Sequence, residues 1–303
     1  MSVESRVRVG SVELLNPVMT ASGTAGYSDE LAPFFDLATI GAIVVKSLAA
    51  FEWAGNPAPR LHPTPQGMLN SVGLQGPGIP HWLANELPRL LDRGATVVAS
   101  IWGRTVDEYR RAAEMLAVAP DAVVAVEVNL SCPNLEGRGG MFAHDDEMSA
   151  AVIAATHGCG RPRWAKLSPN TDRIVEVAQA VHAAGADAVT LINTLLGMVV
   201  DPATRRPALG AGGGGLSGRA IHPVAVRAVH DVHQACPDLA IVGVGGVASG
   251  WDAAELMIVG ADAVQVGTAT FENPAAPRSV LDDLVRWADA AGIRHLADLG
   301  ALA

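Results

Sequence analysis

Four times along the chain an amphipathic stretch runs into Gly-Ala or Gly-Ala-Asp and then a short β-branched run. The segments read "IGAIVVKS" (40–47), "RGATVVAS" (93–100), "AGADAVTLIN" (184–193) and "VGADAVQVGT" (259–268). The glycine suits a helix C-cap, and the run that follows suits a parallel strand buried on both faces. Four further runs belong to the same series: "NPVMTASG" (16–23), "AVVAVEVN" (122–129), "RWAKLS" (163–168) and "AIVGVGG" (240–246). Helical periodicity fills most of the gaps, as in "TVDEYRRAAEMLAV" (105–118), "DRIVEVAQAVHAAG" (172–185) and "HPVAVRAVHDVHQAC" (222–236). Eight strands alternating with helices predict an α/β fold of the TIM (β/α)8 barrel type, with an open doubly wound sheet as the alternative. With 303 residues and no linker or composition shift, 1–303 reads as one barrel domain; roughly 250 residues is typical of such a barrel.

The N-terminal "MSVESRVRVGSVELLNP" alternates like a short β-hairpin and has no signal-peptide core. No apolar run reaches the roughly 18 to 20 residues of a membrane span, so a cytoplasmic chain without membrane contact is expected. A net charge of −10 argues against a general nucleic-acid surface. The three cysteines, Cys132, Cys159 and Cys236, are far apart and offer neither a zinc knuckle nor a four-cysteine cluster site; no metal is expected. Only two lysines occur, Lys46 and Lys166, among nineteen arginines.

In such barrels the chemistry sits at the C-terminal ends of the strands. Those ends carry Ser22, Lys46 with Ser47, Ser100, Asn129, Lys166, Asn193 with Thr194, Gly245 with Gly246, and Gly267 with Thr268. Both lysines fall there. "GVGGVASG" (243–250) and "VGTA" (266–269) follow strands 7 and 8, a frequent phosphate site, and "GAGGGGLSG" (210–218) adds more glycine. "GVGGVA" also fits a dinucleotide fingerprint, but Asp262, the acidic residue about 20 positions on, opens a strand instead of closing one. Lys166 is a candidate to set charge beside a flavin ring, and Lys46 to hold a carboxylate or a ring edge; the plainer alternative for each is a barrel-mouth ion pair. The loop "LNSVGLQGPG" (69–78) brings Asn70 and Ser71. With Asn129, Asn193 and Thr194 these suit a planar ligand with alternating N–H and C=O edges, such as a pyrimidine.

The loop from Ser131 to Asp146 carries Gly137, Gly139 and Gly140 and is long enough for a lid. Cys132 stands at its start, just past an apolar strand, and is the one thiol expected on the active face. Cys159 and Cys236 fall at helix ends or in loops leading into strands, on the opposite face. A thiolate at 132 is placed to take a carbon-bound proton while hydride leaves the neighbouring carbon.

Taken together, "NPVMTASG", "KS", "GNPAPR", "GMLNSVGLQGPG", "VNLSCPN", "KLSPN", "INTLLGM", "GGGGLSG", "GVGG" and "VGT" resemble class 1 dihydroorotate dehydrogenases, in particular the class 1B catalytic chain, from about Asn16 to about Asn273. The resemblance implies a TIM barrel with one FMN per chain that oxidises (S)-dihydroorotate to orotate in pyrimidine (UMP) biosynthesis. Carried over by motif, FMN contacts Ser22, Lys46, Ser47, Ser100, Asn129, Lys166, Ile192, Gly218, Gly245, Gly246, Gly267 and Thr268. Orotate contacts Lys46, Asn70, Ser71, Val72, Gly73, Leu74, Asn129, Asn193 and Thr194, and Cys132 is the base. Ser100 departs from the asparagine usual in the family, so a weaker or water-bridged flavin contact is expected there. The resemblance also implies a homodimer and an electron-transfer partner subunit that carries FAD and a 2Fe–2S cluster and meets NAD. Two rival readings are a dihydropyrimidine dehydrogenase-type subunit acting on uracil or thymine, whose substrate lacks the carboxylate, and a non-catalytic barrel that binds a phosphate ligand.

Overall fold

Three of the four Gly-Ala junctions end helices in the left-handed region that glycine tolerates. Gly94, Gly185 and Gly260 have φ of 65°, 91° and 118° and follow the helices Leu87–Asp92, Ile174–Ala183 and Gly250–Ile258. Gly41 serves another purpose. A Cβ there would lie 2.3 Å from the Asn16 carbonyl oxygen and 3.0 Å from that of Val18, so the glycine permits two strands to close together. The expectation of a helix cap at this fourth junction is corrected to one of close approach.

The computed structural model describes residues 3–131 and 141–302. The N-terminal hairpin forms as β1 (Val7–Val9) and β2 (Val12–Leu14), paired antiparallel. The eight expected strands are β3 (Val18–Thr20), β4 (Ile43–Val44), β7 (Val97–Ile101), β8 (Val123–Asn129), β9 (Arg163–Lys166), β10 (Ala188–Leu191), β13 (Ala240–Val244) and β14 (Ala263–Val266). They pair in parallel in the order β3-β14-β13-β10-β9-β8-β7-β4. A parallel bridge between Met19 and Ala42 joins the two ends, with the Thr20 N–H donating to the Ala42 carbonyl at 3.2 Å and that of Gly41 to Val18 at 2.8 Å. The sheet is therefore a closed barrel rather than the open doubly wound alternative.

Helices such as Val106–Leu116, Asp146–Ala155, His222–Ala235 and Ala276–Ala290 intervene between or follow these strands. The first is capped by Thr105, whose hydroxyl accepts from the Glu108 N–H. Every residue of β7 and of β14 is buried, as parallel strands flanked by helices require.

A second sheet was not expected. β5 (Leu61–Thr64), β6 (Gly67–Asn70), β11 (Leu195–Gly197) and β12 (Gly214–Ser217) pair antiparallel in the order β11-β12-β6-β5. Its strands come from the segments that leave the C-terminal ends of β4 and β10, so it stands over the barrel mouth. The glycine run at 210–218 and the start of the 69–78 segment, the latter read above as a loop, enter this sheet. Contacts leave no room for side chains: a Cβ on Gly67 would fall 1.9 Å from the Ser217 carbonyl oxygen, and one on Gly215 would fall 2.0 Å from Thr194 Oγ1.

Candidate active site

At the C-terminal mouth of the barrel, beneath the antiparallel sheet, lies a cavity of about 350 Å³, within the range of small-molecule sites. It is lined by Ser22, Lys46, Ser47, Asn70, Val72, Gly73, Leu74, Asn129, Lys166, Ile192, Asn193, Thr194, Gly218, Gly245, Gly246, Gly267 and Thr268. These positions run from 22 to 268 in sequence, and the barrel brings them around one cavity. Two of the described sequence-predicted residues do not line it. Ser71 turns away and its hydroxyl accepts from Asn56 Nδ2 at 3.0 Å. Ser100 is fully buried behind Ser47, with the two hydroxyl oxygens 2.9 Å apart. Cys132, with the lid glycines Gly137, Gly139 and Gly140, lies outside the described residues. Its neighbour Ser131, and Met141 on the far side of that segment, both line the cavity.

Neutral amides and hydroxyls form a connected run along one wall. Asn129, at the end of β8, donates from Nδ2 to Ser47 Oγ at 3.4 Å. Its Oδ1 accepts from the Ser131 N–H at 3.1 Å and from Asn193 Nδ2 at 3.2 Å. Asn193 Oδ1 in turn accepts from the Thr194 N–H at 2.8 Å. Tyr109, on the helix Val106–Leu116, donates to the Asn129 carbonyl at 2.6 Å and fixes the strand end from behind.

The loop after β6 is held by its carbonyls. That of Val72 accepts from the Asn56 N–H at 3.1 Å, that of Gly73 from Trp53 Nε1 at 3.0 Å, and that of Gln75 from both Tyr27 and Lys46. Lys46 Nζ also lies 3.2 Å from the Tyr27 hydroxyl. Burial, with the Arg60 charge adding to it, pulls the Lys46 ammonium down to about 8. Burial also pushes the Tyr27 phenol up, helped by Glu30. Tyr27 therefore acts here as a neutral hydroxyl. Among the described residues the ion pair offered as the plainer reading of Lys46 is not formed: its partners there are a phenol and a carbonyl.

Lys166 differs. Its Nζ is 3.4 Å from Glu127 Oε1 and 3.1 Å from Ser22 Oγ. Glu127 Oε2 accepts from Gln265 Nε2 at 2.7 Å. Sequence reasoning missed Glu127 and Gln265. Their signal was a polar residue inside a run otherwise made of Val and Ala, in "VVAVEV" and "AVQV".

Glycines shape the opposite end. Gly218, Gly245 and Gly246 have φ of 98°, 143° and 72°. A Cβ on Gly246 would lie 2.7 Å from His222 Cβ and 2.9 Å from the Gly218 carbonyl oxygen. Thr268 Oγ1 donates to Ser217 Oγ at 2.8 Å beside them. Close backbone and two hydroxyls at one end, and a buried ammonium at the other, are a donor set that fits a phosphate joined to a flavin ring. Asp262 opens β14 and accepts from the Ile241 N–H at 2.8 Å, a structural role that agrees with setting aside the dinucleotide fingerprint. Cys159 and Cys236 are buried at the entries to β9 and β13, away from the mouth, and burial raises both thiols.

A family model described as dihydroorotate dehydrogenase matches residues 5–287. Among curated relatives, a protein of Desulforudis audaxviator named "Dihydroorotate dehydrogenase B (NAD(+)), catalytic subunit" is 47% identical over 300 residues, covering 99% of this chain and 97% of its own. Proteins of the same name from Trichlorobacter lovleyi and Listeria monocytogenes are 46% and 43% identical, covering 98% and 97% of this chain and 97% and 96% of theirs. A barrel whose mouth gathers these residues, and a match of this extent, place the chain in the dihydroorotate dehydrogenase family.

Proposed function

We propose that the chain oxidises (S)-dihydroorotate to orotate in pyrimidine biosynthesis, with one FMN held in the barrel mouth and Cys132 as the base. The observation that carries this reading is one cavity with a glycine-lined end, a buried lysine and a wall of amides, from residues scattered between Ser22 and Thr268. When bound, FMN supplies an acceptor for hydride. The chain's own residues do the rest. Lys46 offers a cation to the substrate carboxylate, and Asn70, Asn129, Asn193 and Thr194 present amide and hydroxyl groups to the alternating edges of a pyrimidine. The 72–74 segment forms the adjoining wall. Gly218, Gly246, Gly267 and Thr268 would hold the phosphate, and Ser22, Ser47, Lys166, Ile192 and Gly245 would hold the ring. Ser71 and Ser100 support this shell indirectly, through Asn56 and Ser47. Cys132, as thiolate, takes a carbon-bound proton.

The relatives' name specifies NAD(+) and a catalytic subunit. That wording supports a partner subunit and NAD as acceptor; the sequence resemblance adds FAD and a 2Fe–2S cluster on that partner, and a homodimer of the present chain. The reading places the reaction in the cytoplasm; among the described residues no helix is long and apolar enough to cross a membrane.

The test is an anaerobic visible spectrum of the purified, FMN-supplied protein. Bleaching by dihydroorotate is expected. Bleaching by dihydrouracil alone points to the dihydropyrimidine dehydrogenase-type reaction, and a protein that retains no flavin overturns the reading. Cys132→Ala should keep flavin and orotate binding while flavin reduction slows by roughly 10² or more, the scale for losing a positioned base.

A further inference from the structure

Glu127 is fully buried inside the barrel. It lies on β8 two residues before Asn129, hence on the same face and one layer beneath the cavity wall. Lys166 is the register partner of Asn129 on β9, is 4% exposed and reaches the cavity. Gln265 stands two residues before Gly267, which also lines the cavity. Glu127 and Gln265 thus form a polar floor across the barrel, under the site and out of reach of a ligand.

The two carboxylate oxygens serve different neighbours. Oε1 faces the Lys166 ammonium at 3.4 Å, and Oε2 accepts from Gln265 at 2.7 Å. Stability does not account for the pair. Apolar residues of similar volume in place of a buried ion pair are often neutral or stabilising. What an apolar floor cannot do is fix the place and size of the charge that Lys166 presents upward.

We propose that Glu127 is a positioning residue, a buried counter-charge that fixes the Lys166 ammonium at the cavity wall and limits the positive charge met by a flavin ring above it. This rests on the flavin reading given above. A full, unscreened cation at the ring edge stabilises the reduced, anionic ring more strongly and raises the potential. Glu127 moderates that effect and holds the ammonium toward Ser22, whose hydroxyl oxygen is 3.1 Å away.

The test substitutes Glu127→Gln, which keeps shape and removes charge. FMN-loaded wild type and E127Q are compared by midpoint potential and by affinity for sulfite, an anion whose addition to oxidised flavin reads local positive charge. In E127Q sulfite should bind at least tenfold tighter, and the potential should rise by the tenfold equivalent, about 30 mV for two electrons. E127D, which retains the charge with a shorter reach, should shift less and in the same direction. E127Q that holds flavin with wild-type or lower potential and sulfite affinity overturns the proposal. A flavin-free readout covers variants that fold poorly. The chain has two lysines, so ¹⁵N-lysine spectra of the wild-type protein should show one slowly exchanging ammonium, that of Lys166, absent from Lys166→Arg. Two rapidly exchanging ammoniums would overturn the counter-charge role. Wild-type protein that takes no flavin defeats the functional reading instead, and the ammonium signal still decides the role of Glu127.

Discussion

Lys46 and Lys166 both stand at C-terminal strand ends and both line the same cavity, yet they sit in opposite electrostatic settings. Lys166 is buried against a fully buried carboxylate, so its charge is answered within the protein. Lys46 meets a phenol and a carbonyl, with Arg60 adding repulsion. Among the described residues no carboxylate answers its charge. A lysine whose partner is built in sets a fixed field; one without a carboxylate partner among the described residues is suited to read an anionic ligand. The same residue type thus divides between cofactor and substrate according to what lies beneath it.

The largest expected effect breaks the comparison at the level of stability. Lys166→Met leaves Glu127 as an uncompensated buried charge. Flavin-free protein should lose about 3–5 kcal/mol, the range for removing one partner of a buried pair. The double variant Lys166→Met with Glu127→Gln should recover most of it. Lys46→Met should have the opposite sign. Burial lowers the Lys46 value from 10.5 to about 8, so between those values the unfolded chain binds more protons and stability rises with pH. Below about 8 the cost of the charged form is fully present, and Lys46→Met removes it. Urea melts at pH 7 measure all three. Equal losses for the two single variants would remove the distinction drawn between the lysines.

Ligand affinity sharpens the same contrast. Lys46→Ala should weaken orotate by about 1.5–3 kcal/mol, the range for a hydrogen bond to a charged group. Its effect on uracil, which lacks the carboxylate, should be small. Titration of tryptophan fluorescence or flavin absorbance with each ligand gives the two constants, and equal losses would show that Lys46 does not read the carboxylate. The pH profile follows from the value near 8. Orotate affinity should be flat below it and fall up to tenfold per pH unit above it, as the free protein's ammonium loses its proton; uracil should show no such fall below its own ionisation. A flat orotate profile to pH 9.5 would contradict the assignment.

How much of this was legible in the sequence depends on the range of the interactions. The eight barrel strands were readable because each is a short apolar run buried on both faces, and helix periodicity separated them. β6 and β12, "GMLN" and "GGLS", carry no alternating pattern. They become strands because Gly215 pairs with Asn70, far away in the chain, and because glycine permits the approach. Site residues were legible where they end strands. Ser100 also ends one, but its side chain faces inward beneath Ser47, and a strand end alone does not give depth. Glu127 was visible as a charge in an apolar run, and its meaning appeared only when the barrel set it against Lys166 and Gln265.

Ser100 gives the smallest expected effect and the finest test of the comparison. Its hydroxyl sits under Ser47, which in turn touches Asn129, the register partner of Lys166, while Ser47 itself follows Lys46 in the chain. This neutral run spans the space between the two lysines and carries no charge. Ser100→Ala removes one neutral hydrogen bond, about 0.5–1.5 kcal/mol, and its effect on a flavin must pass through Ser47. FMN should therefore bind a few-fold more weakly to the apo-protein, and orotate should be almost unchanged. Because Ser100 touches neither lysine, combining Ser100→Ala with Lys46→Ala should give additive losses in orotate affinity, within about 0.5 kcal/mol. A coupling well above that would mean that the neutral run transmits the state of one lysine to the other, and the two settings would then act as one. A loss of FMN affinity far beyond tenfold would place the Ser100 hydroxyl in direct contact with the flavin, stronger than the weakened or water-bridged contact expected from the sequence, and not behind Ser47.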